Sequence, residues 1–319
     1  MMEDCGKKIV CIGGGTGLST MLRGLKVYTN NLTAIVTVAD NGGGSGVLRK
    51  ELNILPPGDI RNCILALAET EPLMQKILGY RFKEGRLEGQ SLGNLFIAAL
   101  NDILGSFELA VEKFNEVLAV KGKVLPVTIE NVQLRALFNN GDIVVGETEI
   151  VNECKLNGGT INKINLIPEK PKAYEKVIIA LEEAEIIVLG PGSLYTSIIP
   201  NLLVEGVSEA IKKSNAKIVY VSNLMTQPGE TYKYSLGKHI SVIEEYLGNN
   251  IIKYVVVNKQ EIQEEILELY EEDGAEQVII DIISDNNCKI IRGALAKVNT
   301  EDCYIRHDSE ELAKILINI

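Results

Sequence analysis

Ile9-Val10-Cys11-Ile12-Gly13-Gly14-Gly15-Thr16-Gly17-Leu18-Ser19 is the stretch that decides the fold. Four apolar residues in a row, bounded by glycine, read as a short strand buried on both faces. The glycines free the backbone for a tight turn, and residues 18–25 then carry the spacing of a helix. Strand, glycine loop and helix in that order open a parallel α/β sheet.

The same alternation extends along the chain. A second buried strand is expected over 33–39, ending at Asp40 and running into another glycine cluster at 41–46. Pro56-Pro57-Gly58 stops the preceding element, and Asp59 is a natural N-cap for a helix over 60–69. Further helices are expected over 93–104 and 108–119. Between 124 and 167 the pattern shifts to short β-rich runs, with Asn139-Asn140-Gly141-Asp142 placed as a hairpin turn between 133–138 and 143–150. Alternation then resumes, with helices over 173–182, 198–213, 241–247 and 261–272. Strands are expected over 186–189, 217–221, 253–257 and 278–283, and a terminal helix from 309. Crossover helices imply parallel strands. The expectation is one α/β domain over 1–319 with a mostly parallel sheet, interrupted by a small antiparallel β insertion at 124–167.

Composition narrows the function. Of 319 residues, 43 are acidic and 32 basic, a net charge of −11, the wrong sign for holding nucleic acid by neutralising phosphates. Six scattered cysteines lack the spacing of a zinc site or redox pair and read as reduced, mostly buried thiols. No apolar run approaches the ~20 residues of a bilayer span, and the first eight residues lack the pattern of a signal peptide. The expectation is a cytoplasmic protein without membrane insertion. Two histidines, His239 and His307, leave little material for imidazole chemistry, and His239 reads as a packing or capping residue.

In an open parallel sheet ligands gather beyond the carboxyl ends of the strands, which directs attention to the loops. Gly13, Gly14, Gly15, Thr16, Gly17, Leu18 and Ser19 let backbone approach an anion at a helix N-terminus, so a phosphate is the natural guest. The stretch lacks the Lys-Ser/Thr end of a P-loop, and Leu18 stands at the third glycine position of the dinucleotide fingerprint. A tight turn without a ligand is the bland alternative. Asp40, Asn41, Gly42, Gly43, Gly44 and Ser45 form the second candidate loop. There Asp40 is placed for a ribose hydroxyl or a magnesium ion, and Arg49 for a phosphate. Asp59, Arg61 and Asn62 put an acid, a cation and an amide at one helix start. Gly190, Pro191, Gly192, Ser193, Tyr195 and Thr196 suit a base or a second phosphate. Asn94 and the group Asn223, Thr226 and Gln227 are smaller signals of the same kind.

Taken in order, IVCIGGGTGLS (9–19), TVADNGGGSGVLR (37–49), PPGDIRN (56–62), SLGNL (91–95), GPGSLYTSIIPNLL (190–203) and NLMTQPGET (223–231) resemble the bacterial gluconeogenesis factor family, within the 2-phospho-L-lactate transferase-like superfamily. The resemblance implies a Rossmann-like three-layer sandwich. It also implies a cytoplasmic protein needed for cell shape and wall synthesis during growth on gluconeogenic carbon, binding UDP-sugars such as UDP-N-acetylglucosamine. Self-association is implied as well, with regulatory protein partners left open. Related transferases bind a guanosine nucleotide and a deazaflavin and move a phospholactyl group with magnesium. Two departures weaken an enzyme assignment: Asp40-Asn41 stands where relatives usually carry Asp-Asp, and Lys238 precedes His239 where an acid is common.

The favoured expectation is a nucleotide-sugar-binding regulator, with 13–19 and 41–46 receiving the diphosphate and 190–196 and 223–230 holding base or sugar. The runner-up is a magnesium-dependent transferase with Asp40 and Asp59 as metal ligands, Asp40, Asp59 and Arg61 being its catalytic candidates. A NAD-dependent oxidoreductase ranks third.

Overall fold

The computed structural model describes residues 6–282, 288–298 and 304–319. Its strands are β1 (Ile9–Gly13), β2 (Leu32–Val36), β3 (Lys123–Pro126), β4 (Gln133–Phe138), β5 (Ile143–Val145), β6 (Ile161–Ile167), β7 (Ile186–Leu189), β8 (Lys217–Val221), β9 (Tyr254–Asn258), β10 (Lys289–Gly293), β11 (Ala296–Val298) and β12 (Ile305–His307). Seven of them form one sheet in the order β10-β9-β8-β7-β1-β2-β3, and every neighbouring pair is parallel. The chain grows outward from β1 to β3, then returns to β7 on the other side of β1. That reversal leaves a crevice between the carboxyl ends of β1 and β7, where doubly wound sheets bind their ligands.

Helices flank this sheet, so its central strands are apolar without alternation: every residue of β1 and β7 is buried. The helix Gly15–Leu25 packs on Gly58–Leu67 and on the terminal helix Ser309–Ile317. At Gly24 the approach is so close that a Cβ would lie 1.8 Å from the Ser309 carbonyl oxygen, which only glycine allows. One continuous apolar cluster joins the sheet to the smaller antiparallel sheet β5-β4-β6. Truncating a central member such as Ile12, fully buried, is expected to cost about 2–5 kcal/mol.

Several local expectations need correction. Residues 124–126 belong to the parallel sheet as β3, so the antiparallel strands begin only at Gln133. The second arm of the hairpin stops at Val145, because Gly146 takes φ 106° and Glu147 starts a helix over Glu147–Asn157 whose first-turn acids suit its dipole. The glycine cluster at 41–46 is only half a loop, since Gly43–Leu52 is helical. Asp59 lies inside the first turn of Gly58–Leu67, with Pro57 at the N-cap. The helix expected over 198–213 is divided into a π turn Leu194–Ile198, a helix Ile199–Leu202 and another over Val207–Lys213, with Gly206 at φ 93° between the last two. The strand expected over 278–283 is not formed at 278–282, and Ile283 lies outside the described residues; the sheet is completed instead by β10. Cys11, Cys63 and Cys154 are buried free thiols, while Cys5 and Cys303 lie outside the described residues.

Candidate functional site

Gly14 joins β1 to the helix Gly15–Leu25 and has no space for a side chain. A Cβ there would lie 2.7 Å from Asp59 Oδ2 and 2.9 Å from Thr37 Cγ2. One turn on, a Cβ at Gly17 would lie 2.7 Å from the Pro191 carbonyl oxygen, so the loops after β1 and β7 touch at the crevice. Gly15, at φ 66°, meets open space. The helix it begins has neither a cap from its own N-cap residue nor an acidic first-turn residue; Asp59 accepts from its first amide, Gly15 N, and the other first-turn N–H groups carry the partial positive charge.

That helix end opens on a cavity of roughly 1030 Å³. Residues 14–17, 191–193 and 223–230 line it, together with Tyr270, Tyr304, Arg306 and His307. The walls are internally braced. Asn223 Oδ1 accepts from Gly192 N at 3.3 Å, Gln227 Nε2 donates to Ser193 Oγ at 2.7 Å, and Thr226 Oγ1 accepts from Glu276 N at 2.8 Å. Gln227 Oε1 remains unpartnered. Leu18 and Tyr195 turn inward: Leu18 is a core residue, and Tyr195 pairs its hydroxyl with Tyr234 at 3.1 Å. Ser19 bonds the Thr16 carbonyl within its own helix turn.

Residues 40–46 do not line this cavity. They adjoin it from behind Gly14, through carboxylates. Asp40 Oδ1 accepts from Gly42 N at 2.7 Å, and Asp59, bonded by Gly15 N, is pushed up to about 6, first by burial and then by the Asp40 charge. Glu230 is 8% exposed, accepts from Tyr195 N and from the Thr196 hydroxyl, each at 3.3 Å, and is pushed up to about 7 by burial. Half-buried Glu147 is raised well above the carboxylate range by desolvation and by the charges of Asp40, Asp59 and Glu230. Sequence reading passed over Glu147 and took Glu230 only as the end of the stretch 223–230 expected to hold base or sugar. Their glutamates look like any surface acid until the π turn at Leu194–Ile198 brings Thr196 between them.

Asn41 has a structural use that explains why an amide stands there. It donates to Glu149 Oε2 at 2.6 Å and accepts from Thr148 N at 3.0 Å, pinning the start of Glu147–Asn157. A carboxylate at 41 would face Glu149 with like charge. Arg49, 7% exposed, is also committed internally: it donates to the carbonyls of Ala39, Asp40 and Val132 and to Asn131 Oδ1. Asn62 accepts from Arg61 Nη2 at 2.7 Å, and Asn94 is buried with Oδ1 unpartnered. His239 packs against Tyr234 and bonds the Ser235 carbonyl. His307, in the cavity wall, bonds the Ser222 carbonyl and is pushed down to about 4 by burial, so it is neutral at pH 7.

Among the described residues no group of three or more His, Cys, Asp or Glu side chains is arranged to hold a metal ion. Asp40 and Asp59, both raised by burial and the second also by the charge of the first, supply two carboxylates. Magnesium commonly takes one or two carboxylates and completes its shell with water and substrate phosphate. The pair therefore suits a cation that arrives with a phosphorylated ligand.

A family model described as 2-phospho-L-lactate transferase CofD matches residues 9–296. The chain belongs to this family. Among CofD-family relatives, the gluconeogenesis factor of Bacillus subtilis is 44% identical over 98% of this chain and 98% of its own length. A Thermoanaerobacterium thermosulfurigenes protein, provisionally given the same name, is 53% identical over 98% of this chain and 97% of its own. The crystal structure of a upf0052-family protein from Bacillus halodurans superposes with a TM-score of 0.91 at 40% identity, covering 97% of this chain and 99% of that one. No helix among the described residues of this CofD-family chain is long and apolar enough to cross a membrane.

Proposed function

We propose that this CofD-family chain binds a nucleotide diphosphate sugar of the UDP-N-acetylglucosamine type and acts as a cytoplasmic regulator of cell shape and wall synthesis under gluconeogenic growth. The observation that carries the reading is the meeting of the β1 and β7 glycine loops at the crevice, where a helix N-terminus opens on a large cavity. The pyrophosphate sits against residues 14–17, where main-chain N–H groups and the helix dipole favour an anion. Polar groups of 223–227 and the rings of Tyr270 and Tyr304 are placed for the base and sugar. The name borne by the B. subtilis relative supports the gluconeogenic context.

A second reading, a magnesium-dependent transferase acting on a nucleotide-activated substrate, is favoured by the family's description and by the coupled carboxylates Asp40 and Asp59 beside Arg61. The ion supplies charge stabilisation at a transferred phosphoryl group. Here the two carboxylates would hold the cation, and Glu230, pushed up to about 7 by burial, would hold or release a proton near neutral pH.

Calorimetric titration of the full chain with UDP-N-acetylglucosamine, GDP and NAD, with and without magnesium, tests both. Saturable UDP-sugar binding without turnover supports the regulator. Magnesium-dependent product formation supports the transferase. A flat response to the UDP-sugar beside clear NAD binding overturns the first reading.

A further inference from the structure

Arg61 lies apart from the nucleotide cavity, on the helix Gly58–Leu67, and is only 7% exposed. Nη2 donates to Asn62 Oδ1, while Nε and Nη1 have no partner, so three of the five guanidinium N–H groups are buried without an acceptor. A fully charged group left in that state is costly unless something pairs with it. The carboxylate nearest in effect, Asp59, raises the arginine's proton affinity less than burial and a second cation, Arg81, lower it.

The surroundings share this unbalanced character. Residues 80–91 form a narrow flap held by backbone bonds from Phe82 N to Gln90 O, Gly89 N to Phe82 O and Leu92 N to Tyr80 O. The flap brings Arg81 and Gln90 against Gly44 in the first turn of the helix Gly43–Leu52. A Cβ at Gly44 would lie 3.1 Å from Gln90 Oε1 and 3.5 Å from Arg81 Nη1. The helix end itself is occupied: Asp40 Oδ1 accepts from Gly42 N at 2.7 Å, and the Gly89 carbonyl, which also accepts from Arg81 Nη1, lies against Gly44. Gln90 Oε1 and Asn94 Oδ1 are also buried and unpartnered, and either amide presents N–H donors after a half-turn of its terminal torsion. Arg61 and Arg81 enter no ion pair among the described residues.

We propose that Arg61 and Arg81, with Gln90 and Asn94, form a second anion site that takes a phosphoryl group, closed by the flap at 80–91 and separate from the nucleotide cavity. Asp40 and Asp59 answer the nearby helix end and part of the arginine charge, but the unaccepted N–H groups of Arg61, with Arg81 acting on them, match a tetrahedral oxyanion that can accept from several donors at once. The ligand is a second, phosphorylated molecule or free phosphate. The site stands whether or not the cavity takes a nucleotide sugar.

The test is calorimetric titration of the full chain with inorganic phosphate, repeated with UDP-N-acetylglucosamine in excess and again with acetate in place of phosphate. The expected result is phosphate binding that survives the UDP-sugar, falls at least fivefold in Arg81→Gln, and is lost in Arg61→Gln. Arg81 is exposed on the flap, so its variant keeps the fold and carries the test even if Arg61→Gln does not. A phosphomonoester that binds more tightly than phosphate identifies a phosphorylated molecule as the ligand; equal affinity identifies free phosphate. Phosphate affinity unchanged in Arg81→Gln, phosphate binding abolished by the UDP-sugar, or acetate bound as tightly as phosphate each overturns the proposal. Absence of heat with the UDP-sugar, alongside Arg81-dependent phosphate binding, rejects the nucleotide reading and leaves this site standing.

Discussion

The ends of β1 and β2 share a composition: each delivers three consecutive glycines to the start of a helix, and each places one of them in the left-handed region, Gly15 at 66° and Gly43 at 48°. Their neighbours differ. Beyond β1 the glycines meet the Gly190–Gly192 turn of a strand on the far side of the crevice, and the helix end faces an open cavity. Beyond β2 the glycines are packed by protein: a Cβ at Gly46 would lie 2.0 Å from the Asn41 carbonyl oxygen, and Gly44 meets the flap. The same local chemistry thus gives an open cradle where the sheet topology reverses and a covered one where it does not.

The most direct way to break this contrast is a pair of substitutions. Gly14→Val drives a branched side chain into Asp59 and Thr37 and is expected to weaken nucleotide-sugar binding at least a hundredfold in calorimetry; retained affinity would remove the β1 loop from the site. Gly44→Val is expected to leave nucleotide affinity within twofold while loosening the flap, seen as faster amide exchange over 80–91. Equal loss of nucleotide binding in both variants would merge the two regions into one.

Next in size is Arg49→Met, which strands the carbonyls of Ala39, Asp40 and Val132. It should cost about 2–4 kcal/mol in denaturant unfolding. A loss below about 0.5 kcal/mol would show that the guanidinium is not needed to hold the two regions together.

The pH dependence comes third. Glu230, at about 7, and Asp59, at about 6, both bind protons more tightly folded than an ordinary carboxylate does. The ligand-free chain should therefore gain stability as pH falls from 8 through 7 toward 5, and Glu230→Gln should gain about 1–3 kcal/mol at pH 8 and little at pH 5. A Glu230→Gln chain no more stable than the parent at pH 8 would place that carboxyl in a wetter setting. The smallest expected effect is Tyr195→Phe, which removes the hydroxyl contact with Tyr234 at about 1 kcal/mol, read from the thermal midpoint.

Much of the site was legible in advance because glycine at a strand end is a backbone statement, and the motifs at 13–19, 190–196 and 223–227 all lie in or beside the cavity wall. Tyr270, Tyr304, Arg306 and His307 were not, since no glycine or turn marks them and they arrive through β12 and the helix Glu264–Glu272. Arg49 was misjudged for a different reason: a cation beside a glycine loop reads the same whether its donors meet a ligand or carbonyls nine and eighty-three residues away.

The amino-acid sequence by itself determined the alternation of buried strands and helices, the positions where backbone can approach an anion, and the family, because period and glycine placement are local properties of the chain. Tertiary structure decided which glycine loop faces a cavity, which arginine keeps buried N–H groups without an acceptor, and which glutamates are pushed above the ordinary carboxylate range. Those outcomes depend on distance between residues far apart in the chain and on the water excluded between them, and neither is written in any short stretch of residues.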